Sequence, residues 1–142
     1  MEDDDVARAF IMALMLALGL GLAAPAHAQS VSDIELGSGD VGKMVSARIT
    51  GAGYHDFRLA ARSGQNLFVS LMAGVTDGEG SVHFDILPPG SDGVAIYNSS
   101  SRGNDTQIDL PADGVYTIRV YLTGNDRDTG KTVSFNMDLS IQ

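Results

Sequence analysis

The sequence predicts an all-β protein: an antiparallel β-sandwich, jelly-roll-like, of about nine strands. Past residue 30, apolar and polar residues alternate in short runs, which is the pattern of half-buried strands. Gly, Asp and Asn separate those runs, and no stretch there sustains the 3.6-residue period of a helix.

In chain order, strands are predicted at 34–36, 44–50, 55–61, 66–72, 82–87, 94–97, 106–110, 116–122 and 133–141. The last is the clearest, with Val133, Phe135, Met137, Leu139 and Ile141 on one face and Ser134, Asn136, Asp138 and Ser140 on the other. Its predecessor places Tyr116, Ile118, Val120 and Leu122 on one face, with Thr117 and Arg119 opposite. The turns between strands carry glycines tolerant of positive φ, as in Ser63-Gly64, Asp92-Gly93 and Asp113-Gly114. Pro88-Pro89-Gly90 ends the run at Leu87, because neither proline can donate to a ladder.

The first 28 residues follow a different rule. Residues 10–24 are uninterruptedly apolar, too short for a membrane span, which takes about 20 residues. With the small-x-small pattern Ala26-His27-Ala28 behind it, the segment is expected to be a secretory signal peptide over 1–28. A single β-sandwich domain, 29–142, is expected to follow, soluble and periplasmic in a Gram-negative bacterium, with no membrane contact after cleavage. Glu2, Asp3, Asp4 and Asp5 are acidic where such a peptide is normally positive. A translation start at Val6 would remove them and leave Arg8 in the positive position.

The formal net charge is −9; Glu2, Asp3, Asp4, Asp5 and Arg8 account for −3 of it, and −6 belongs to the residues after Ala28. That balance argues against nucleic acid, whose phosphates need clustered Lys and Arg, and suits a cationic partner. The chain has no Cys, so the expected exported domain holds together by packing alone.

Catalysis finds no support. After residue 28 only His55 and His83 remain as histidines. His55 is in phase with Phe57 and Leu59, which makes it a strand-entry or core-edge residue. His83 and Asp85 share an outward face, but two ligands are fewer than a structural zinc site takes. The loop at 125–130 is oxygen-rich but has no downstream bidentate Glu, and Lys131 follows it, so it is expected to be a solvated hairpin rather than a calcium loop. No nucleophile, base and oxyanion site assemble. No metal or cofactor is expected, and the chain is not expected to be an enzyme.

One turn stands out: Leu110-Pro111-Ala112-Asp113-Gly114-Val115-Tyr116. In one reading, Tyr116 packs on the core edge and bonds back to the turn, as in a tyrosine corner. In the other, the turn offers a carboxylate and a phenol to a partner.

Gly53-Tyr54-His55-Asp56, Ser63-Gly64-Gln65, the run from Phe84 to Gly90, the run from Leu110 to Tyr121 and the closing strand together resemble the periplasmic inhibitors of invertebrate-type and goose-type lysozymes. The likeness runs in consistent order from about Val45 to Ile141. Bacterial pre-peptidase C-terminal domains share the Gly-Gln hairpin and the Gly-x-Tyr strand start. The resemblance implies a β-sandwich that blocks a lysozyme by inserting loops into its cleft, with the lysozyme as the cationic partner. In the invertebrate-type inhibitors a Ser-Gly-x-Tyr turn makes the insertion. Gly114 and Tyr116 match it here, with Asp113 at the Ser position. An ionised Asp facing catalytic carboxylates is unfavourable unless a proton is shared. The goose-type inhibitors carry Arg-Asn-Asp-Ala-Arg where this chain reads Gly124-Asn125-Asp126-Arg127-Asp128, keeping Asn-Asp and displacing one Arg. The expected partner-binding residues are therefore Asp113, Gly114, Tyr116, Asn125 and Arg127. The class of lysozyme stays open between the two, as does a homodimer. The alternative function is a secreted β-sandwich that binds cell-wall or other polysaccharide, or serves as a structural module.

Overall fold

The computed structural model describes residues 29–36 and 42–142. The expected signal peptide, its cleavage pattern and the Val6 start all lie outside the described residues.

Alternating side chains build two sheets with one buried face each. The first contains, in spatial order, β1 (Gln29–Ile34), β3 (Tyr54–Ala61), β8 (Gly114–Leu122), β5 (Val82–Leu87) and β6 (Tyr97–Asn98). The second contains β2 (Gly42–Thr50), β9 (Thr132–Ile141), β4 (Asn66–Thr76) and β7 (Asp105–Asp109). All pairings among the described residues are antiparallel except β1 on β3, which is parallel. The chain changes sheet at every connection but the one from β5 to β6, so its loops gather at the two ends of the sandwich.

β8 shows why the sequence folds this way. Tyr116, Ile118 and Val120 are 0% exposed and Leu122 is 1% exposed, while the side chains between them point outward. From the facing sheet, β9 buries Val133, Phe135, Met137 and Leu139 in the same manner. Phe57 and Phe135 meet edge to face across the interior, with centroids 6.1 Å apart and planes at 89°. Each fully buried aliphatic or aromatic side chain in this core contributes roughly 1.5–3 kcal/mol of transfer free energy.

Several local features differ from the sequence reading. β1 covers Gln29–Ile34 rather than 34–36, since its order comes from pairing with β3. Among the described residues there are two single helical turns, α1 (Ser99–Arg102) and α2 (Gly124–Asp128). The second stands where a solvated hairpin was expected. At four and five residues, both are too short to show a helical period.

The connections divide cleanly. One end collects the turn at 62–65, the loop after β5 and the turn at 110–113. The other collects the turn at 51–53, the loop at 77–81 and α2 with the residues leading to β9. β8 joins the two ends. Its nine residues span roughly 26 Å at about 3.3 Å per residue.

Candidate functional site

The five residues expected to meet a partner do not converge. Asp113, Gly114 and Tyr116 lie at the start of β8, whereas Asn125 and Arg127 lie beyond its far end.

At the first end the polar groups are used inside the fold. The Tyr116 ring is 0% exposed. Its hydroxyl donates to the Ala112 carbonyl at 2.7 Å and accepts from the Ala112 N–H at 3.0 Å. This is the geometry of a tyrosine corner, and it leaves the phenol no atom to present outward. Asp113 is exposed, but its Oδ1 accepts the Ser63 N–H at 2.7 Å and so ties the turn at 110–113 to the turn at 62–65. Backbone bonds from Gly64 N–H to the Leu110 carbonyl (2.9 Å) and from Leu110 N–H to the Gln65 carbonyl (2.8 Å) complete that seam. The carboxylate at a position where the invertebrate-type pattern has a hydroxyl thus has a structural partner of its own. Gly114 has φ of +137°, and a Cβ there would fall 2.8 Å from Pro89 Cβ. Only glycine fits that position.

At the second end the side chains divide between inside and outside. Asn125 and Arg127 are exposed, together with Gly124, Asp128, Thr129 and Gly130. Asp126, between them, is 0% exposed. Its Oδ1 accepts the Glu79 N–H at 2.8 Å and its Oδ2 accepts the Ser81 N–H at 2.9 Å. These backbone donors, Glu79 foremost, hold its carboxyl below the ordinary carboxylate range against the opposing effect of burial. Lys131 adds a smaller contribution in the same direction. Gly78 makes this approach possible, because a Cβ there would lie 2.1 Å from Asp126 Oδ1. Sequence reasoning missed Asp126 as an organising residue. Its partners lie 45 and 47 residues earlier, and nothing local distinguishes it from any loop Asp.

The outer face of the first sheet is polar and mutually satisfied. Arg119 donates to both oxygens of Asp56, at 2.8 and 2.9 Å, and its guanidinium lies 4.2 Å over the Tyr54 ring. Asp85 accepts from the Tyr121 hydroxyl at 2.9 Å and from the Asn98 amide at 2.8 Å. One face of Tyr54 is therefore covered rather than offered as a stacking platform. His55 stacks on Phe57 at 4.2 Å and 3°, with its Nε2 2.8 Å from Ser32 Oγ, and desolvation lowers its pKa despite the nearby Asp56. It is the core-edge residue that its phase predicts.

No protein-family model matches the chain. Among individual proteins, the inhibitor of g-type lysozyme from Escherichia coli (strain K12) is 30% identical over 112 residues, covering 78% of this chain and 80% of that protein. The crystal structure of a periplasmic inhibitor of g-type lysozyme from Aeromonas hydrophila matches with a TM-score of 0.73 and 24% identity, covering 82% of this chain and 100% of that one. The pre-peptidase C-terminal domain of a Bacillus anthracis collagenase shares the fold at a TM-score of 0.50 and 11% identity, over 84% of this chain and 99% of that one. At 24% and 11% identity, both of these solved structures are likenesses of fold. With the identity to the Escherichia coli protein extending over more than three quarters of both chains, this chain belongs to the family of inhibitors of g-type lysozyme.

Proposed function

We propose that the protein is a periplasmic inhibitor of a g-type lysozyme and that it docks through the α2 end. The observation that carries the docking side is the contrast in exposure. Asn125 and Arg127 project to solvent, whereas Tyr116 is sealed in a corner and Asp113 is bonded to Ser63.

The chemistry fits the target. Glycoside hydrolysis generally relies on a pair of carboxyl groups beside the scissile bond. An exposed guanidinium such as Arg127 can bond a carboxylate in such a cleft, and Asn125 can add an amide hydrogen bond. The inhibitor performs no covalent step; it occupies the space the substrate needs. The −6 charge of the residues after Ala28 steers encounter with a cationic enzyme. Family membership supports this reading over the polysaccharide-binding or structural module, and it favours the g-type target over the invertebrate-type one.

The decisive experiment measures clearing of a bacterial cell-wall suspension by g-type, invertebrate-type and chicken-type lysozymes with and without the purified protein. Inhibition confined to the g-type enzyme is expected. Arg127→Ala should weaken it by at least tenfold, as for a central interface residue, with no change in the urea midpoint. Full inhibition by Arg127→Ala, or none by the unaltered protein, would remove the reading. Association should also slow as salt rises, because the Debye length is about 8 Å at 0.15 M.

A further inference from the structure

We propose that the loop at 77–81, between β4 and β5, is a second contact element at the docking end, and that Asp126 is the positioning residue that fuses it to α2. The proposal rests on the reading of α2 as the docking element and adds to it a surface that the family likeness does not point to.

The argument starts from the two faces of one helical turn. Asn125 and Arg127 face outward, so Asp126 faces inward, where both of its oxygens are taken by backbone N–H groups of the neighbouring loop. The loop is otherwise held at its flanks. The Asp77 N–H reaches the Thr132 carbonyl at 3.4 Å, Asp77 Oδ1 accepts the Thr132 N–H at 2.8 Å, and the Thr123 N–H reaches the Ser81 carbonyl at 3.0 Å. Between those anchors, the Asp126 carboxylate fixes Glu79 and Ser81 directly. Gly78 lies against that carboxylate and against Lys131 Cγ, with room for no side chain. Two loops from different parts of the sequence thereby become one rigid tip.

That tip carries a defined charge pattern. Arg127 stands on one loop, and the exposed Glu79 is held by its own backbone N–H on the other. A guanidinium suits the carboxylates inside a glycosidase cleft. A carboxylate beside it suits basic side chains on the rim of a cationic enzyme, where charge acts mainly on the rate of encounter. The partner chemistry of the loop is therefore a basic rim, distinct from the acidic interior met by Arg127.

The test compares Asp126→Asn, Glu79→Gln and the double variant in binding to g-type lysozyme, with amide exchange at Glu79 and Ser81 as an independent readout. In Asp126→Asn the amide nitrogen replaces one acceptor, so protection of one or both amides should fall by tenfold or more, with inhibition weakened about tenfold. Glu79→Gln alone should slow association about threefold at low salt, leaving dissociation nearly unchanged. Because Asp126 acts through the loop, the double variant should bind no worse than Asp126→Asn alone, whereas independent effects would multiply. Should Asp126→Asn fail to fold, Gly78→Ala keeps the carboxylate and pushes the loop away from it, and the same losses are expected. If the unaltered protein inhibits, Arg127→Ala fails to inhibit, and the Asp126, Gly78 and Glu79 variants inhibit normally, the loop proposal falls while the docking reading stands. If the unaltered protein does not inhibit, both fall.

Discussion

The two ends of β8 carry loops of similar polarity and put them to opposite uses. At the Gly114 end, the side chains that look most available close on one another: the Tyr116 hydroxyl on Ala112, the Asp113 carboxylate on Ser63, and Gly114 against Pro89. At the α2 end, a single inward carboxylate carries the organising role, and its neighbours Asn125 and Arg127 are left outside. One buried polar residue that satisfies several backbone donors frees adjacent residues for recognition. Where each side chain must cap its own turn, none is left over.

The contrast can be broken by substitutions whose effects separate stability from binding. The largest stability loss is expected from Gly114→Ala. It combines a φ that L-residues rarely adopt with an overlap on Pro89, together about 3 kcal/mol. Urea denaturation should show a lower midpoint, and the fraction still folded should inhibit normally. Tyr116→Phe is milder. It leaves the ring buried and removes only the corner bonds, for about 1 kcal/mol, with inhibition intact. Weaker inhibition at unchanged stability would instead give Tyr116 a place at the partner.

The smallest expected effect is set by pH and sharpens the difference between the ends. The Asp126 carboxyl is held below its ordinary value in the folded state, so its contribution to stability is complete above about pH 4. That contribution is lost as pH falls through the folded value. Amide protection at Glu79 and Ser81 should accordingly decline in acid before that at Gly64 and Leu110, whose bonds join backbone to backbone. Simultaneous loss at both ends would show that Asp126 contributes nothing specific.

Strands β3, β5, β8 and β9 were legible in the sequence because each buries one face along most of its length. β5 falls at 82–87 as its alternation predicts, and β8 and β9 carry the phases read for them. β1 was not legible, since only Ile34 of its six residues is buried and no periodic face exists to read. The predicted strand at 94–97 shrinks to Tyr97 and Asn98, where the hydroxyl of Tyr97 is bonded to the Gly103 carbonyl. At the candidate site, the resemblance drew attention to Asn125 and Arg127, and both roles of Tyr116 could be framed from its phase beside a turn. The separation of these residues between two ends could not, because it depends on the length of β8 and on which loops gather around each terminus. Asp126 escaped notice for a related reason: its burial depends on Gly78, which only the sheet topology brings near.

The position of β9 has a consequence in time. It is the last of the described strands in sequence, yet it sits inside its sheet between β2 and β4, where Ser46 bonds to Asn136 across 90 residues of sequence. Without it β2 has no neighbour in that sheet, and β4 has only the short β7. The second sheet cannot be completed until β9 is free to enter it between β2 and β4. Pairings of such long range are also slow to form. Assembly of the second sheet therefore waits on β9, and β2 and β4 lack their shared neighbour until it arrives.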